Sequence, residues 1–341
     1  MKNILVAGGA GFIGANFVHY LLANYPGYQV VVYDKLTYAG NLNNLLDANE
    51  NPNYKFVRGD IADRATVSQV VQASQIDTIV NFAAETHVDR SILTPDAFVR
   101  TNLNGTYTLL DVAREFGLER YVQVSTDEVY GSIPEGEFKE TDPLQPNSPY
   151  SASKAGGDLM VRAYYETYGL NASITRGSNT YGPYQYPEKV LPLFITNALE
   201  DKPLPLYGDG KQVRDWLYVR DHAAGIATVM HKGLPGEAYN IGGGNERQNI
   251  DVTRQVLALL GKPETLITPV RDRAGHDRRY ALNCAKAHAL GWQPQTDFEA
   301  GLAETVEWYR RNAWWWQQIK SGEFREYYER QYGDRLREAG V

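Results

Sequence analysis

Two groups of side chains in this chain have types and a spacing that suit acid–base chemistry. Thr126, Asp127 and Glu128 follow a β-branched run, so that a hydroxyl and two carboxyl groups are adjacent. Tyr150 and Lys154 are four residues apart, which puts both on one face of a helix. A protonated lysine stabilises a phenolate and lowers the pKa of the tyrosine, giving a base that can take a hydroxyl proton while hydride leaves the carbon. We therefore expect a catalytic centre built from these residues.

A glycine-rich turn lies near the start of the chain. Gly8, Gly9, Gly11 and Gly14 come directly after a strand-like run and open a helical pattern. Glycine suits this turn because the backbone must approach a pyrophosphate, which the N–H groups and dipole of the helix N-terminus then favour. Asp34 ends the next strand pattern, where a carboxylate accepts hydrogen bonds from ribose hydroxyls and repels a 2′-phosphate. The sequence therefore predicts a site for NAD rather than NADP.

The elements that would position these residues alternate between strand and helix patterns through the first half of the chain. This alternation predicts βαβ units and an α/β fold with a doubly wound parallel sheet, in which ligands bind beyond the carboxyl ends of the strands. The predicted strands are Asn3–Ala7, Gln29–Tyr33, Tyr54–Val57, Asp77–Phe82, Tyr121–Ser125 and Ala172–Arg176. The predicted helices lie near Ile13–Tyr25, Ala65–Ser74, Phe98–Phe116 and Ser151–Tyr168.

The pattern changes in the second half of the chain, where glycine and proline become frequent. Regular alternation returns only briefly, at Glu237–Ile241. We therefore expect residues 1–176, with about 218–241, to form an NAD-binding domain. Residues 177–217 and 242–341 would form a smaller C-terminal substrate-binding lobe.

The bulk composition argues against several classes of function. The chain has 341 residues, a net charge of −7 and a pI of about 5.5, whereas affinity for nucleic acid comes mostly from Lys and Arg neutralising phosphates. Its single cysteine, Cys284, can form neither an intrachain disulfide nor a cysteine metal cluster, and we expect no metal site. The sequence shows neither a signal-peptide pattern nor a run near the ~20 apolar residues of a membrane span. We expect a cytoplasmic protein with no membrane or nucleic-acid partner.

Four motifs together resemble the extended short-chain dehydrogenase/reductase family. They are Gly8-Gly9-Ala10-Gly11-Phe12-Ile13-Gly14, Asp60-Ile61, Tyr150-x-x-x-Lys154 and Arg176-Gly177-x-Asn179-x-Tyr181-Gly182-Pro183. The resemblance runs from residue 1 to about 320 and implies a Rossmann-type fold, tightly held NAD and a nucleotide-sugar substrate. It also implies a homodimer, in which helices near 98–116 and 151–168 of each subunit pair into a four-helix bundle.

Three further motifs are similar to the dTDP-glucose 4,6-dehydratase branch of that family. They are Ala84-Glu85-Thr86-His87-Val88-Asp89-Arg90-Ser91, Tyr184-Gln185-Tyr186-Pro187-Glu188-Lys189 and Asp272-Arg273-Ala274-Gly275-His276-Asp277-Arg278-Arg279-Tyr280. This resemblance implies that Tyr150 takes the proton of the glucose C4 hydroxyl and that Thr126 hydrogen-bonds the C4 oxygen. Glu128 would remove the C5 proton, and Asp127, with its pKa raised by burial and by Glu128, would protonate the C6 hydroxyl. The implied product of dTDP-glucose is a 4-keto-6-deoxy sugar nucleotide, released with water.

The residues that the patterns and the resemblance assign to ligands fall into two sets. The cofactor set is Gly8, Gly11, Phe12, Ile13, Gly14, Asp34, Lys35, Thr37, Asp60, Ile61, Ala83, Ala84, Thr101, Tyr150, Lys154 and Thr180. The substrate set is Thr86, Thr126, Asn179, Lys189, Val190, Pro205, Tyr207, Arg214, Asn249, Arg273 and His276. Arginine suits a diphosphate because its planar fork can bond two oxygens at once.

Other functions stay open at this point. A UDP-sugar 4,6-dehydratase, a 4-epimerase or a decarboxylase of the same fold would keep the Tyr-Lys pair, although the last two have no evident use for two adjacent carboxyl groups. A non-catalytic NAD-binding protein is an alternative of a different class, and it would be expected to lose the Tyr-Lys pair. Thr86 and Ala274 stand where serine and proline are usual, so the choice between dTDP and UDP also stays open.

Overall fold

The computed structural model describes residues 1–272 and 276–340, and its core is a sheet with helices on both faces. The strands are β1 (Asn3–Ala7), β2 (Gln29–Asp34), β3 (Tyr54–Arg58), β4 (Thr78–Asn81), β5 (Arg120–Thr126), β6 (Ala172–Gly177), β7 (Asn179–Tyr181), β8 (Leu204–Tyr207), β9 (Val213–Tyr218), β10 (Ala238–Ile241), β11 (Glu246–Gln248) and β12 (Ile267–Val270). The α-helices are α1 (Phe12–Asn24), α2 (Arg64–Ala73), α3 (Val88–Leu93), α4 (Pro95–Phe98), α5 (Thr106–Glu115), α6 (Pro149–Tyr168), α7 (Val190–Leu199), α8 (Val219–Lys232), α9 (Asn249–Leu260), α10 (Ala285–Ala289), α11 (Phe298–Arg311), α12 (Ala313–Ile319) and α13 (Glu323–Glu338).

Within the described residues the largest sheet has seven strands in the order β10-β6-β5-β4-β1-β2-β3, with every neighbouring pair parallel. The strand order reverses at the step from β1 to β4, which opens a crevice beyond their carboxyl ends. Strands of such a sheet are covered on both faces, which is why their residues are mostly apolar and buried here. The predicted α/β, doubly wound fold is confirmed, and β10 lies in the sheet where the alternation returns.

Helices form a layer on each face of this sheet. On one face α2, α5 and α6 pack over Leu5 and Tyr121, and Leu109 of α5 belongs to the same core. On the other face α1 packs against α8, and Phe17 and Ile226 belong to the core between them and the strands. The two layers hold the strands in place, so the loops at their carboxyl ends carry side chains at fixed positions.

The remaining elements gather around a second set of apolar side chains. Here β9 lies between β7 and β11, while β8 pairs in parallel with β12. Helices α7, α9 and α11 contribute to a core that includes Trp216 and Phe298. The C-terminal helices α12 and α13 add Trp315 and Phe324, both almost fully buried. Large aromatic residues therefore hold the C-terminal segment against the rest of the protein.

The helix that the sequence predicts over Phe98–Phe116 is not regular. Val99–Gly105 forms a π-helical segment between α4 and α5. Its Asn102 side chain accepts a hydrogen bond from the backbone N–H of Glu85 at 2.8 Å and donates one to the Ser153 hydroxyl at 2.8 Å. The wider turn therefore ties the loop after β4 to helix α6, and π-helical turns of this kind are frequent near functional sites.

None of the helices in the two described ranges is long and apolar enough to cross a membrane. Among the same residues, the His, Cys, Asp and Glu side chains form no group of three or more that could hold a metal ion. The Cys284 thiol accepts a hydrogen bond from the backbone N–H of Gly242 at 3.1 Å, and burial raises the pKa of this thiol to about 12. Cys284 is therefore a packed and unreactive side chain.

Candidate active site

The turn from β1 into α1 admits only glycine at its closest approaches. Gly8 has a φ of 75°, and a Cβ there would lie 2.4 Å from the backbone nitrogen of Ala83. A Cβ on Gly14 would lie 2.3 Å from the carbonyl oxygen of Gly8. Gly11 is the N-cap of α1, and the residues of its first turn line a cavity. The turn thus presents helical N–H groups to a ligand that comes close to the backbone.

The Asp34 carboxylate is held in place at the end of β2. Its two oxygens accept hydrogen bonds from the backbone N–H groups of Ala10, at 3.0 Å, and Leu36, at 2.8 Å. Burial raises the pKa of Asp34, and these hydrogen bonds oppose that rise. Lys35 lies 2.8 Å from Asp60 and forms an ion pair with that residue. The negative charge of Asp34 is therefore available to repel a 2′-phosphate, as the preference for NAD requires.

The end of β5 carries the hydroxyl and the two carboxyl groups. Thr126 is the N-cap of a short 3₁₀-helix over Asp127–Tyr130, and its hydroxyl accepts a hydrogen bond from the backbone N–H of Glu128 at 3.3 Å. The same hydroxyl donates to Oδ1 of Asp127 at 3.2 Å. Gly131, with a φ of 88°, ends the helix. The turn therefore fixes both carboxyl groups immediately beyond the strand.

Asp127 is the more deeply buried of the two carboxyl groups, with 2% of its surface exposed. Burial and the negative charge of Glu128 raise the pKa of Asp127 well above its ordinary value, while the hydrogen bond from Thr126 opposes them. Within the described residues its Oδ2 has no hydrogen-bond partner. The prediction that burial and Glu128 raise the pKa of Asp127 is confirmed.

Helix α6 brings Tyr150 and Lys154 to the same cavity. The helix begins with a capping box formed by Ser148 and Ser151, so its first turn is firmly placed. Lys154 donates a hydrogen bond from Nζ to the carbonyl of Val124 at 2.7 Å, and burial lowers the pKa of Lys154 to about 8. The lysine is thereby fixed beside β5, and most of it is still protonated at neutral pH.

The prediction that Lys154 lowers the pKa of Tyr150 is wrong for this structure. Burial and the negative charge of Glu128 raise the pKa of the Tyr150 phenol well above its ordinary value, and a hydrogen bond with Thr126 opposes them only in part. Burial has the largest effect on this pKa, and its extent at Tyr150 depends on tertiary packing that sequence patterns do not show. Positive charge beside the phenol of Tyr150 is therefore needed before it can act as a base.

The predicted residues line two cavities that share several residues. The larger, of about 280 Å³, is lined by every member of the cofactor set together with Thr86, Thr126, Asp127, Glu128, Asn179 and Lys189. The smaller, of about 140 Å³, is lined by Glu128, Asn179, Lys189, Val190, Pro205, Tyr207, Arg214, Asn249 and His276. Arg273, with Ala274, lies outside the described residues. The structure thus brings the two predicted sets together, with Glu128, Asn179 and Lys189 where the cavities meet.

Two cationic side chains of the smaller cavity are held by neighbouring groups. Lys189 donates a hydrogen bond from Nζ to the carbonyl of Thr86 at 2.9 Å. The guanidinium of Arg214 lies 4.6 Å from the centre of the Tyr280 ring and donates to the Asp277 carbonyl at 2.9 Å. These contacts direct positive charge into a cavity that an anionic group could enter.

Comparison with known proteins decides the family. The profile of the GDP-mannose 4,6-dehydratase family matches residues 5–305. A Streptomyces antibioticus dTDP-glucose 4,6-dehydratase is 52% identical over 324 residues, which are 93% of this chain and 95% of that protein. The chain belongs to the GDP-mannose 4,6-dehydratase family.

Solved structures of relatives agree with this assignment. The dTDP-glucose 4,6-dehydratase of Bacillus anthracis, solved in complex with NAD, has 52% identity and a TM-score of 0.88, over 94% of this chain and all of that one. The Streptomyces venezuelae enzyme of the same description, solved with NAD and TYD bound, has 51% identity and a TM-score of 0.91 over the same shares. The Rossmann-type fold of this member of the family is therefore shared over almost its whole length.

Several wall residues of this GDP-mannose 4,6-dehydratase family member could not be found from the sequence. His222 lines the larger cavity from the first turn of α8. Tyr332 of α13 lines the smaller one, where its ring centre lies 5.9 Å from that of Tyr207. Gln331 and Arg335 of the same helix donate hydrogen bonds to the Tyr207 hydroxyl. No local motif marks these positions, because they reach the cavities only through the packing of distant helices.

Proposed function

We propose that the protein is an NAD-dependent dTDP-glucose 4,6-dehydratase, a hydro-lyase that converts dTDP-glucose to dTDP-4-keto-6-deoxyglucose and water. One observation carries the proposal: Asp127 and Glu128 line the same cavity as Tyr150 and Lys154. Oxidation of a secondary alcohol needs only the tyrosine and its lysine. The removal of water needs a further acid and a further base, which the two carboxyl groups provide.

The larger cavity fits NAD by its own geometry. The contacts of Gly8 and Gly14 leave room only for backbone at the turn, and the fixed Asp34 carboxylate suits ribose hydroxyls. When bound, NAD would supply the acceptor for the C4 hydride and its return to C6, and the positive charge of its oxidised ring would favour a phenolate. The residues that would hold it are the cofactor set, all of which line this cavity.

Proton removal from the C4 hydroxyl falls to Tyr150. The protonated form of Lys154 supplies positive charge on the same helix face, and Thr126 hydrogen-bonds the phenol. In the complex the Thr126 hydroxyl would contact the C4 oxygen, so that both side chains act on one atom of the sugar. Positioning of this kind accounts for much of an enzyme's rate acceleration, because the reacting groups have already lost their translational and rotational entropy on binding.

Elimination then uses the two carboxyl groups in different protonation states. The new C4 ketone acidifies the C5 proton, and Glu128 removes it as the base. Asp127, kept protonated by burial and by the charge of Glu128, gives its proton from Oδ2 to the departing C6 hydroxyl, which leaves as water. Reprotonation of C5 completes the product. Two adjacent carboxyl groups can divide these roles because burial raises the pKa of Asp127.

The smaller cavity suits the nucleotide diphosphate. Lys189 and Arg214 supply positive charge, and Arg214 can bond two phosphate oxygens at once. Pro205 and Tyr207 line the part of this cavity closed by α13, where we place the base. Our proposal of dTDP over UDP rests on the relatives at about 50% identity, which are described as dTDP-glucose enzymes.

Incubation of the purified protein with dTDP-glucose in deuterated water, followed by NMR of the product, tests the proposal. A 4-keto-6-deoxy sugar carrying deuterium at C5 is expected. A product that keeps its C6 alcohol would instead point to an epimerase, and loss of a carboxyl carbon from a UDP-glucuronate control would point to a decarboxylase. No conversion of any sugar nucleotide would leave the non-catalytic alternative.

We further propose a homodimer built on the face formed by α3, the π-helical segment, α5 and α6. These neighbouring helices expose large apolar side chains, each with about half of its surface accessible: Leu93, Val99, Tyr107 and Leu159. Such a patch is characteristic of a protein interface. Light scattering at micromolar concentration should give twice the monomer mass, and Leu159→Arg should halve it, whereas Leu234→Arg, at another exposed leucine, should not.

We also propose that the predicted NAD-binding domain and the predicted substrate-binding lobe each hold most of one ligand, with Thr180 of the lobe reaching the cofactor. Residues 1–176 with about 218–241 would bind the cofactor, and residues 177–217 with 242–341 would bind the nucleotide sugar. The catalytic residues at the end of β5 would then face both ligands. Proteolysis fragments that retain NAD but lose dTDP would support this division.

A further inference from the structure

Tyr280 lines the smaller cavity, although the proposed reaction gives it no part. Its side chain is 3% exposed, and the centre of its ring lies 4.6 Å from the guanidinium of Arg214, which we place on the diphosphate. A planar guanidinium stacks well on the face of an aromatic ring, and the stacking limits its rotation. The plane of the Arg214 fork therefore depends on how the Tyr280 ring is held.

The hydroxyl of Tyr280 is tied to a carboxylate. It donates a hydrogen bond to Oδ2 of Asp277. Burial and the negative charge of Glu128 raise the pKa of Tyr280 well above its ordinary value, so the phenol keeps its proton and stays the donor. A hydrogen bond to a carboxylate is stronger than one between two neutral groups, so this bond fixes the orientation of the ring.

Asp277 also contacts Arg214 directly. Its backbone carbonyl accepts a hydrogen bond from Nη2 of Arg214 at 2.9 Å, and Nη1 donates to the carbonyl of Val213 at 2.8 Å. Carbonyls are neutral acceptors, so these two bonds orient the guanidinium without cancelling its charge. Asp277 thus acts on the arginine twice, through its own backbone and through the ring of Tyr280.

A further bond joins Asp277 to the start of the helix that carries Tyr150. Nδ2 of Asn147 donates to Oδ1 of Asp277 at 2.8 Å, so each oxygen of this carboxylate has its own donor. Asn147 directly precedes Ser148, which is the N-cap of α6. Neither Asn147 nor Asp277 is among the described residues that line the two cavities. Any effect of theirs on a ligand must therefore pass through other side chains.

We propose that Asp277 and Tyr280 are positioning residues for the diphosphate of the nucleotide sugar. Asp277 fixes the ring of Tyr280, and the ring fixes the plane in which Arg214 presents its N–H groups to two phosphate oxygens. Asn147 supports Asp277 from the start of α6, so the diphosphate site and the helix of Tyr150 share one anchor. The inference rests on the proposed function, in which Arg214 binds the diphosphate.

Two ligands separate the diphosphate from the rest of the nucleotide. dTDP and thymidine share the base and the deoxyribose, so only dTDP uses Arg214. In the protein loaded with NAD, Tyr280→Phe should raise the Kd of dTDP about fivefold, because the ring keeps its shape but loses its hydrogen bond. The Kd of thymidine should change by less than about twofold. Calorimetry measures the first constant, and NMR titration measures the second.

Asp277→Asn tests the carboxylate and leaves in place the backbone carbonyl that Arg214 uses. The amide has one acceptor oxygen for two donors, so the Kd of dTDP should again rise about fivefold while that of thymidine stays nearly constant. Tyr239→Phe is the matched control, because it also removes the bonded hydroxyl of a buried tyrosine but lines neither cavity. This control should bind both ligands as the wild-type protein does.

A double-mutant cycle with Arg214→Met shows whether the effect passes through the arginine. Without the guanidinium, Tyr280→Phe should change the Kd of dTDP by less than about twofold. A loss as large as in the wild-type background would overturn the proposal. Equal losses for dTDP and thymidine would overturn it too, and so would an unchanged Kd of dTDP in either folded variant. If the wild-type protein did not bind dTDP at all, the proposed function itself would be overturned, and this inference with it.

Discussion

The hydroxyl of Thr126 donates a hydrogen bond to Oδ1 of Asp127 at 3.2 Å. The same side chain hydrogen-bonds the Tyr150 phenol, whose high pKa this contact lowers in part. Thr126 therefore contacts both the residue proposed to act at C4 and the residue proposed to act at C6 of the sugar. The second oxygen of Asp127 has no hydrogen-bond partner among the described residues. The side chains proposed for oxidation and for elimination thus line one cavity.

Asp127→Asn should separate the two stages of the reaction. Asparagine keeps the shape of the side chain but cannot donate a proton to a leaving hydroxyl, so we expect turnover to fall by about 10²–10⁴-fold while C4 oxidation persists. Single-turnover absorbance should show reduced cofactor accumulating. Asp47→Asn, at an exposed aspartate that lines neither cavity, is the control. Unchanged turnover in Asp127→Asn would contradict the assigned role.

Glu128→Gln should stop the exchange of the C5 proton. Because the amide cannot accept this proton, we expect a loss of about 10²-fold or more in turnover. In deuterated water the recovered substrate and any product should lack deuterium at C5, which NMR measures directly. Deuterium entering C5 at the wild-type rate would assign the base to another group.

Lys154→Met should make the protein more stable and inactive. Burial lowers the pKa of Lys154 from 10.5 to about 8, and each unit corresponds to about 1.4 kcal/mol of destabilisation below pH 8. Since the variant also loses the bond to Val124, we expect the free energy of unfolding to rise by about 1–2 kcal/mol at pH 7.

The sign of the pH dependence of the Lys154 effect is fixed by linkage. Below about pH 8 both folded and unfolded wild-type chains carry the proton and the full cost is present. Between about pH 8 and 10.5 the folded chain loses its proton first, so the advantage of Lys154→Met should shrink. Denaturant unfolding at several pH values measures it, with Lys55→Met at an exposed lysine as the control. An advantage that grows with pH would contradict the account.

Gly14→Ala should weaken both the fold and the binding of NAD. The added Cβ would lie 2.3 Å from the Gly8 carbonyl oxygen, so the turn must shift, and we expect a loss of about 2 kcal/mol or more in the free energy of unfolding. Gly27→Ala is a matched control, because the described residues place nothing within 4 Å of its Cβ. Calorimetry with and without NAD would compare the two variants; equal behaviour would contradict this reading of the turn.

Much of this site could be predicted because the decisive residues lie close together in the chain. The glycines of the first turn, Asp34 and the Tyr150–Lys154 pair are each placed by one strand or helix, and the spacing of that element is regular. The alternation of strands and helices predicts the doubly wound parallel sheet, although not the order of its seven strands. Sequence patterns of this kind predict single helices and strands and the residues at their ends.

The residues that could not be predicted depend on contacts between distant elements. His222 enters the cavity only because α8 meets the end of β6 at Gly177. The π-helical segment that carries Asn102 breaks the helical period, so periodicity alone gives a straight helix there. The predicted direction of the pKa shift of Tyr150 was wrong, because this shift depends on how deeply the phenol is buried, and a sequence does not state that.

The fate of hydrogen at C4 of the sugar tests the central claim most directly. dTDP-glucose deuterated at C4 should be incubated with the purified protein in ordinary water, and the product should be examined by NMR. We expect the deuterium at C6 of a 4-keto-6-deoxy sugar, because the hydride taken from C4 returns to C6 of the same molecule. Deuterium that remains at C4 of a sugar with an intact C6 alcohol would contradict a 4,6-dehydratase and indicate an epimerase.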